Sequence, residues 1–211
     1  VLFRSACGNA VEAAARIVGD WLPGDPDLST HNDRPVLRWG PVRPRILLLG
    51  HVDTVWPMGT IERLPWQVEG DRMRGPGVFD MKAGVVQAIA AASIAGVGVD
   101  DGVGILLTTD EEIGSLTSRE LIEQMAGGAE AVLVFEPSID GDLKSARKGT
   151  SWYVVQIDGR AAHAGLDPER GINALVAGAA LVEECITWAD ASLGTTVNPT
   201  TMRAEIGRAH V

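Results

Sequence analysis

Three short apolar runs, each followed by residues with reactive side chains, dominate the hydrophobic pattern of the chain. They cover residues 46–49, 104–107 and 131–135. Continuous apolar runs of this length are typical of strands that are buried on both faces of a sheet. The residues that follow them are therefore expected beyond the carboxyl ends of the strands, which is where open α/β sheets bind ligands.

Apolar residues at helical spacing lie between and around these runs. This spacing predicts helices over residues 9–21, 82–95, 117–125 and 173–188. Thr117 or Ser118 is the expected N-cap of the third helix. Short strands are predicted at 36–39 and in a hairpin that turns at 69–71, where glycine and aspartate favour a turn. This alternation predicts an α/β fold with a doubly wound, mostly parallel sheet.

The pattern changes after Pro137. Residues 151–157 are rich in β-forming side chains, and a turn signal, Asp158-Gly159, follows them. We predict a strand there, followed by the last of the helices. The sequence thus predicts two domains, the first over residues 1–149 and the second, of α+β type, over residues 150–211.

The two ends of the chain share an unusual coding relationship. Residues 1–5, VLFRS, can be encoded by GTGCTCTTCCGATCT, and the reverse complement of that DNA, read in another frame, encodes IGRAH, residues 206–210. We interpret both as translated sequencing adapter, so that residues 1–5 and about 206–211 are expected not to come from the gene. The remaining chain is then expected to be an internal fragment of a longer protein.

The composition of the 211 residues argues against several classes of function. A net charge of −10 disfavours a nucleic-acid partner, because phosphate binding needs clustered lysine and arginine. The longest run of small apolar residues, 83–99, is shorter than the roughly 20 strongly apolar residues of a membrane span. Cys7 and Cys185 lie in no metal-binding spacing. No signal peptide is recognisable, and the expected location is cytoplasmic.

Nitrogen and oxygen ligands for a metal ion collect at the predicted strand ends. His51 and Asp53 follow the first run and, two residues apart on an extended chain, are expected to point the same way. Glu111 and Glu112 follow the second run, and Glu136 follows the third. Such a set suits zinc, cobalt or manganese better than calcium.

A further acid, Asp80, precedes a predicted helix in GPGVFDMKAG. This glycine-rich loop lacks the lysine motif of a phosphate-binding loop, which disfavours phosphate as its ligand. Taken singly, each candidate has a plain structural alternative, such as a core histidine, a turn acid or a solvated acidic pair. Their recurrence at three strand ends favours the metal site. His163, a lone histidine in a loop of small residues, reads from the pattern alone as a surface residue.

Five motifs, in a fixed order, resemble those of one enzyme family. They are GHVDTV, GPGVFDMKAG, TTDEEIGS, FEPS and AAHAG, and they span nearly the whole chain between its ends. The chain resembles the co-catalytic zinc metallopeptidases, a family that includes glutamate carboxypeptidase, acetylornithine deacetylase and succinyl-diaminopimelate desuccinylase, with the greatest likeness to the glutamate carboxypeptidase branch. The resemblance implies a two-zinc catalytic domain, to which residues 1–149 would belong, and a lid or dimerisation domain, to which residues 150–211 would belong.

The resemblance also implies a ligand set for two divalent metal ions, with zinc as the first expectation. Asp80 would bridge both ions, His51 and Glu136 would complete one site, and Glu112 would belong to the other. A shared anion agrees with electrostatics, because two cations about 3.5–4 Å apart repel each other. The peptide bond between Asp80 and Met81 would be cis. The family's last histidine ligand lies downstream of the motifs present here.

Three further residues receive catalytic roles from the resemblance. Glu111 would be the general base that takes a proton from the attacking water. Asp53 would orient the imidazole of His51. His163 would reach the active site of a partner subunit in a homodimer.

The implied function is the metal-dependent hydrolysis of amide bonds in small peptides or N-acyl amino acids, with no nucleic-acid or membrane partner. The chain alone is expected to be inactive, because the last ligand and the rest of the lid would lie outside it. One alternative is a non-catalytic relative that binds metal or amino acids, which the presence of Glu111 disfavours. Another is a phosphate-binding doubly wound protein.

Overall fold

The computed structural model describes residues 2–138 and 140–204, with side chains from residue 8 onward. The segment 206–211, which we interpret as adapter, and the side chain of Cys7 lie outside the described part. The chain divides into two compact units, Val1–Ser145 and Ala146–Val211. None of the described helices is both long and apolar enough to cross a lipid bilayer.

The first unit is organised around a five-stranded sheet. Its elements, in chain order, are α1 (Leu2–Trp21), β1 (Asp27–His31), β2 (Arg34–Trp39), β3 (Ile46–His51), α2 (Thr60–Arg63), β4 (Gln67–Glu69), β5 (Arg72–Arg74), α3 (Ala83–Ile94), β6 (Val103–Thr108), α4 (Arg119–Ala126) and β7 (Ala131–Val134). The large sheet has the strand order β1-β2-β6-β3-β7, while β4 and β5 form a separate hairpin.

The large sheet is mixed. Strands β6, β3 and β7 run parallel, whereas β1 and β2 pair antiparallel with each other and β2 pairs antiparallel with β6. The predicted α/β fold is confirmed, and the predicted hairpin forms at β4 and β5. The antiparallel strand β2 comes from the proline-rich segment, where the sequence predicts a short strand but not the direction in which it runs.

Apolar side chains alternate between the two faces of the sheet, as the geometry of a strand requires. Leu48 of β3 packs on one face with Val18 of α1 and Ile89 of α3. Leu47 packs on the other face with Leu121 of α4. Helices therefore cover both faces, and each buried leucine or isoleucine contributes about 1.5–3 kcal/mol of hydrophobic stabilisation.

The start of α4 differs in detail from the prediction. Ser118 occupies the N-cap position, but its side chain makes no capping hydrogen bond. The amides of Thr117 and Ser118 donate instead to the carboxylate of Asp110. The carboxylate thus binds the amides at the N-cap and just before it, and not the amides of the first helical turn that an N-cap side chain would bind.

The second unit contains the helix α5 (Ala174–Ile186), which Asn173 caps by accepting hydrogen bonds from the amides of Leu175 and Val176 at 3.0 and 3.2 Å. Its described residues contain no strand, only isolated bridges. The strand predicted over 151–157 is not formed. A strand needs a partner for its backbone amides and carbonyls, and no neighbouring strand is present in this part of the described chain.

Candidate metal centre

The parallel strands bring the candidate ligands to one edge of the sheet. His51 ends β3 and is paired in register with Thr108, the last residue of β6. Glu111 follows Thr108 by three residues and therefore lies just beyond the same edge of the sheet. Strand β7 ends at Val134, which pairs with Leu49, and Glu136 follows two residues later. Because parallel strands end at a common edge, residues that are distant in sequence become neighbours here.

The imidazole of His51 is the centre of this group. Its Nε2 atom lies 3.3 Å from Oδ1 of Asp80, 3.4 Å from Oε1 of Glu136 and 3.8 Å from Oε2 of Glu111. The ligand atoms of His51, Asp80 and Glu136 all lie within 4.8 Å of one another. One nitrogen and two carboxylate oxygens at this spacing form a cluster that could hold a divalent metal ion.

Asp53 contacts the other side of the same imidazole. Its Oδ1 atom lies 3.3 Å from Nδ1 of His51, and its Oδ2 atom accepts a hydrogen bond from the backbone amide of Glu112 at 3.0 Å. Asp53 is buried, as is the histidine. One carboxylate therefore lies against the imidazole and also accepts a hydrogen bond from the backbone of the acidic pair that follows β6.

The two glutamates after β6 differ in their surroundings. They begin a short 3₁₀ turn, Glu111–Ile113, and their side chains take separate directions. Oε1 of Glu112 accepts a hydrogen bond from the amide of Val55 at 3.1 Å, so Glu112 lies beside the three-residue cluster rather than within it. The side chain of Glu111 is 46% exposed, which leaves its carboxylate accessible to water.

The crowding of carboxylates shifts the pKa values of the cluster. Burial by itself would lower the pKa of His51, but the carboxylate of Asp53, followed by the charges of Glu136 and Glu111, outweighs it and raises that pKa to about 9. The pKa of Glu136 is raised by burial and by Asp80, although the charge of His51 opposes this. The pKa of Glu112 is raised by burial and by Asp80. A bound divalent cation would relieve this excess of negative charge, so the donor set fits such an ion.

Two apolar or small residues position Asp80, and sequence reasoning missed both. Met81 is fully buried, and its sulfur accepts a hydrogen bond from the amide of His51 at 3.3 Å. A Cβ atom at Gly84, in the first turn of α3, would collide with the carbonyl oxygen of Phe135. The helix that follows Asp80 therefore packs against the backbone next to Glu136. The peptide bond between Asp80 and Met81 is cis, as the resemblance implied.

His163 belongs to the second unit, unlike the other predicted site residues. It is exposed in a loop that its own neighbours stabilise. Its Nδ1 atom accepts a hydrogen bond from the amide of Gly165 at 3.2 Å, and its backbone amide donates to Oδ1 of Asp167 at 2.9 Å. These local bonds leave Nε2 of the imidazole free of any hydrogen bond within the described chain.

The five motifs and the metal cluster agree with a match to a known family. A profile of Peptidase family M20/M25/M40 matches residues 47–206. The chain belongs to this family. The family resemblance seen in the motifs is thereby confirmed, and the match covers the cluster from His51 to Glu136 as well as the loop of His163.

Individual relatives in this family are similar over the same region. Carboxypeptidase G2 of Pseudomonas sp. (strain RS-16) is 41% identical over 142 residues, which are 65% of this chain and 34% of that protein. A succinyl-diaminopimelate desuccinylase of Parvibaculum lavamentivorans is 32% identical over 149 residues, 63% of this chain and 36% of that protein. The chain thus spans about a third of the length of these relatives.

The fold is similar to a solved structure of the family. The crystal structure of the M20 family metallo-carboxypeptidase Sso-CP2 from Sulfolobus solfataricus aligns over 61% of this chain and 32% of that protein. The sequence identity is 20% and the TM-score is 0.48.

Proposed function

We propose that the protein is a metal-dependent hydrolase that cleaves amide bonds in small peptides or N-acyl amino acids. The observation that supports this most directly is the convergence of His51, Asp80 and Glu136 within 4.8 Å, with Glu111 beside them. The relatives' names, a carboxypeptidase and a desuccinylase, support the substrate class. The proposal concerns the whole protein, because the part of this chain that matches these relatives is about a third of their length.

In this proposal the site holds two divalent ions, with zinc as the first choice and cobalt or manganese as alternatives. His51 and Glu136 would hold one ion, Glu112 would hold the other, and Asp80 would be the ligand that the two ions share. The raised pKa of Glu112, to which Asp80 contributes, is consistent with a shared site for two cations. When bound, the ions supply positive charge that neutralises the carboxylates and lowers the pKa of water from 15.7 toward about 7.

Glu111 is the proposed general base. Its carboxylate is half-exposed and lies 3.8 Å from the imidazole of the cluster, so it is within reach of a water molecule at the site. It accepts a proton from that water and later delivers the proton to the nitrogen of the departing amine. Asp53 keeps the other imidazole proton on Nδ1 of His51, which leaves the Nε2 lone pair directed at the ligand cluster.

The second unit has a separate proposed role. We assign residues 150–211 to a lid or dimerisation domain and propose that the protein forms a homodimer through it. His163 then donates a hydrogen bond to the developing oxyanion in the active site of a partner subunit. The exposed imidazole and its free Nε2 atom support this assignment. The cytoplasmic location stays a prediction from sequence.

The substitution Glu111→Gln, in the protein as its gene encodes it, tests the proposed function. Hydrolysis of a panel of N-acetyl and N-succinyl amino acids and dipeptides is measured with and without a chelator, together with the metal content per chain. We expect chelation to abolish wild-type turnover, and we expect the variant to keep its metal while kcat falls about 10²- to 10⁴-fold. Loss of metal from the variant, or a nearly normal rate, would contradict the assigned base. Glu130→Gln, an exposed acid beside Arg45, is the matched control.

A further inference from the structure

A buried carboxylate next to the site has no part in the scheme above. Asp110 is fully buried, and one of its oxygens, Oδ2, accepts three hydrogen bonds. The donors are the amide of Thr117 at 2.7 Å, the hydroxyl of Thr117 at 2.6 Å and the amide of Ser118 at 3.1 Å. Neither lysine nor arginine forms an ion pair with Asp110 in the described part of the chain. Burial of a carboxylate without a cation is costly, and only Oδ2 is compensated by hydrogen bonds, since Oδ1 is buried with no hydrogen-bond partner in the described chain.

These bonds close the loop that carries the two glutamates. The carboxylate of Asp110 reaches seven and eight residues along the chain, across the whole segment between β6 and α4. The backbone carbonyl of Asp110 also accepts a hydrogen bond from the amide of Ser115 at 2.7 Å. Within the loop, Gly114 and Ser115 both have positive φ angles, of 91° and 53°. For Ser115 this conformation is uncommon and must be supported by its surroundings.

Glu111 depends on this loop for its position. No hydrogen bond to its carboxylate is present among the described residues, and the contact that the structure gives it is the 3.8 Å approach to His51. A general base works only where its oxygen is within hydrogen-bond reach of the proton it takes. Because no hydrogen bond holds the carboxylate of Glu111, the position of this side chain depends on the position of its backbone.

We propose that Asp110 is a positioning residue, whose buried carboxylate ties the loop at Thr117 and Ser118 and thereby sets where Glu111 stands. The inference rests on the proposed function of Glu111 as the base. Asp53 provides the second tie, since its Oδ2 atom accepts the amide of Glu112 at 3.0 Å. Two buried carboxylates thus accept amides of the loop that carries the base, at Glu112 and at Thr117 and Ser118, while the side chain of the base stays exposed.

A graded set of variants tests this role. Asp110→Ala removes all three bonds, Asp110→Asn keeps an oxygen of the same shape as acceptor, and Thr117→Val removes the hydroxyl bond alone. Asp101→Asn is the matched control, because Asp101 also accepts a backbone amide, that of Gly98 at 2.7 Å, but lies in the turn before β6. The measurements are kcat, KM, metal content per chain, melting temperature, and hydrogen exchange of the amides at 115–118.

We expect kcat of Asp110→Ala to fall about 10²-fold, with KM and metal content close to wild type, since a displacement of about 1 Å can have this effect. The kcat of Asp110→Asn should stay close to that of wild type. The kcat of Thr117→Val should fall by a smaller factor than that of Asp110→Ala, and the kcat of Asp101→Asn should be unchanged. In Asp110→Ala, hydrogen exchange should become faster at the amides of residues 115–118 and should not change at the other amides near the site. A purely structural role would lower the melting temperature and leave kcat of the folded, metal-loaded fraction unchanged.

The outcomes separate this inference from the proposed function. If the wild-type protein shows no metal-dependent hydrolysis, the proposed function is wrong. If the wild type hydrolyses its substrates and folded, metal-loaded Asp110→Ala has a normal kcat, the positioning role is wrong. Should Asp110→Ala fail to fold, an unchanged kcat in Thr117→Val overturns the role, and a reduced kcat at normal KM in Thr117→Val supports it.

Discussion

His51 of the first unit and His163 of the second are held in place by different kinds of structure. His51 ends a strand, is 1% exposed, and contacts, besides Asp53 in its own segment, residues 29 to 85 positions away in sequence. His163 is exposed, and its hydrogen bonds come from Gly165 and Asp167 in its own loop. The first imidazole is therefore fixed by tertiary packing and the second by local bonds, so their contributions to function should respond differently to mutation.

The apolar side chains of the two units show the same contrast. Ile105 and Leu106 of the first unit are fully buried between helices and sheet. Trp152, Tyr153 and Val154 of the second unit are exposed, the last of them by 98%. Buried apolar surface supplies roughly 25 cal/mol per Å², so the first unit gains stabilisation that the described part of the second does not. Chemistry that needs fixed distances is accordingly expected in the first unit.

The largest expected effect comes from Asp80→Ala. Asp80 contacts the central imidazole at 3.3 Å and is the proposed shared ligand, so its removal should release both ions and reduce hydrolysis to the chelated background. Elemental analysis of the purified protein and the hydrolysis assay measure the two effects. Asp71→Ala, in the exposed turn between β4 and β5, is the control. Retention of two ions per chain by Asp80→Ala would contradict the bridging role.

The contrast between the two histidines is tested by His163→Ala. Because the hydrogen bonds given for His163 are made to Gly165 and Asp167 of its own loop, and none of the proposed ligands belongs to that loop, the variant should keep the full metal content. Loss of one donor to a developing oxyanion is expected to lower kcat about 10²- to 10³-fold. His31→Ala, at the end of β1, is the control variant. A normal kcat in His163→Ala would remove this residue from the catalytic scheme.

The sequence was sufficient to predict the parts of the fold that rest on continuous apolar runs. Ile46 to Leu49 forms the parallel strand β3, whose residues are buried or half-buried, as its apolar run predicts. Ala131 to Val134 also forms a parallel strand, but it lies at the edge of the sheet, where residues 132–134 are exposed and not buried on both faces as predicted. The meeting of His51 and Glu136 follows from this parallel pairing, since parallel strands end at one edge. Asp80 could be anticipated only through the motif that surrounds it, because no strand places it.

Other features could not be predicted because they depend on partners that are distant in sequence. The role of Asp110 was hidden, since Thr117 and Ser118 look like ordinary helix caps and only the fold brings the carboxylate to them. The strand predicted at 151–157 rests on β propensity, which describes side chains and not the presence of a neighbouring strand. Gly84 gives no signal in one sequence until its contact with Phe135 is seen.

A pair of core and surface substitutions tests the contrast in packing. Ile105→Ala creates a cavity in the sheet of the first unit and is expected to lower the free energy of unfolding by about 2–5 kcal/mol. Val154→Ala removes carbon atoms from a side chain in water and is expected to change it by less than about 0.5 kcal/mol. Urea unfolding followed by far-ultraviolet circular dichroism measures both. Equal losses in the two variants would show that Val154 is buried in solution.

The smallest expected effect is that of Asp53→Asn, which tests how strongly packing around His51 tunes its chemistry. Burial lowers the pKa of His51, and Asp53 is the strongest of the neighbours that raise it, to about 9. The amide of the variant keeps the shape of the Asp53 side chain but removes its charge. In the metal-free wild type, that raised pKa stabilises the fold fully below about pH 6.5, the ordinary value, and the contribution is lost as the pH rises through 9. The variant should show a weaker pH dependence, because Glu136 and Glu111 remain beside the imidazole, and its His51 pKa, measured by NMR, should be below the wild-type value. It should also bind metal about 10- to 100-fold more weakly. An unchanged imidazole titration, measured against Glu130→Gln as control, would mean that Asp53 supports the backbone of Glu112 and does not tune the imidazole.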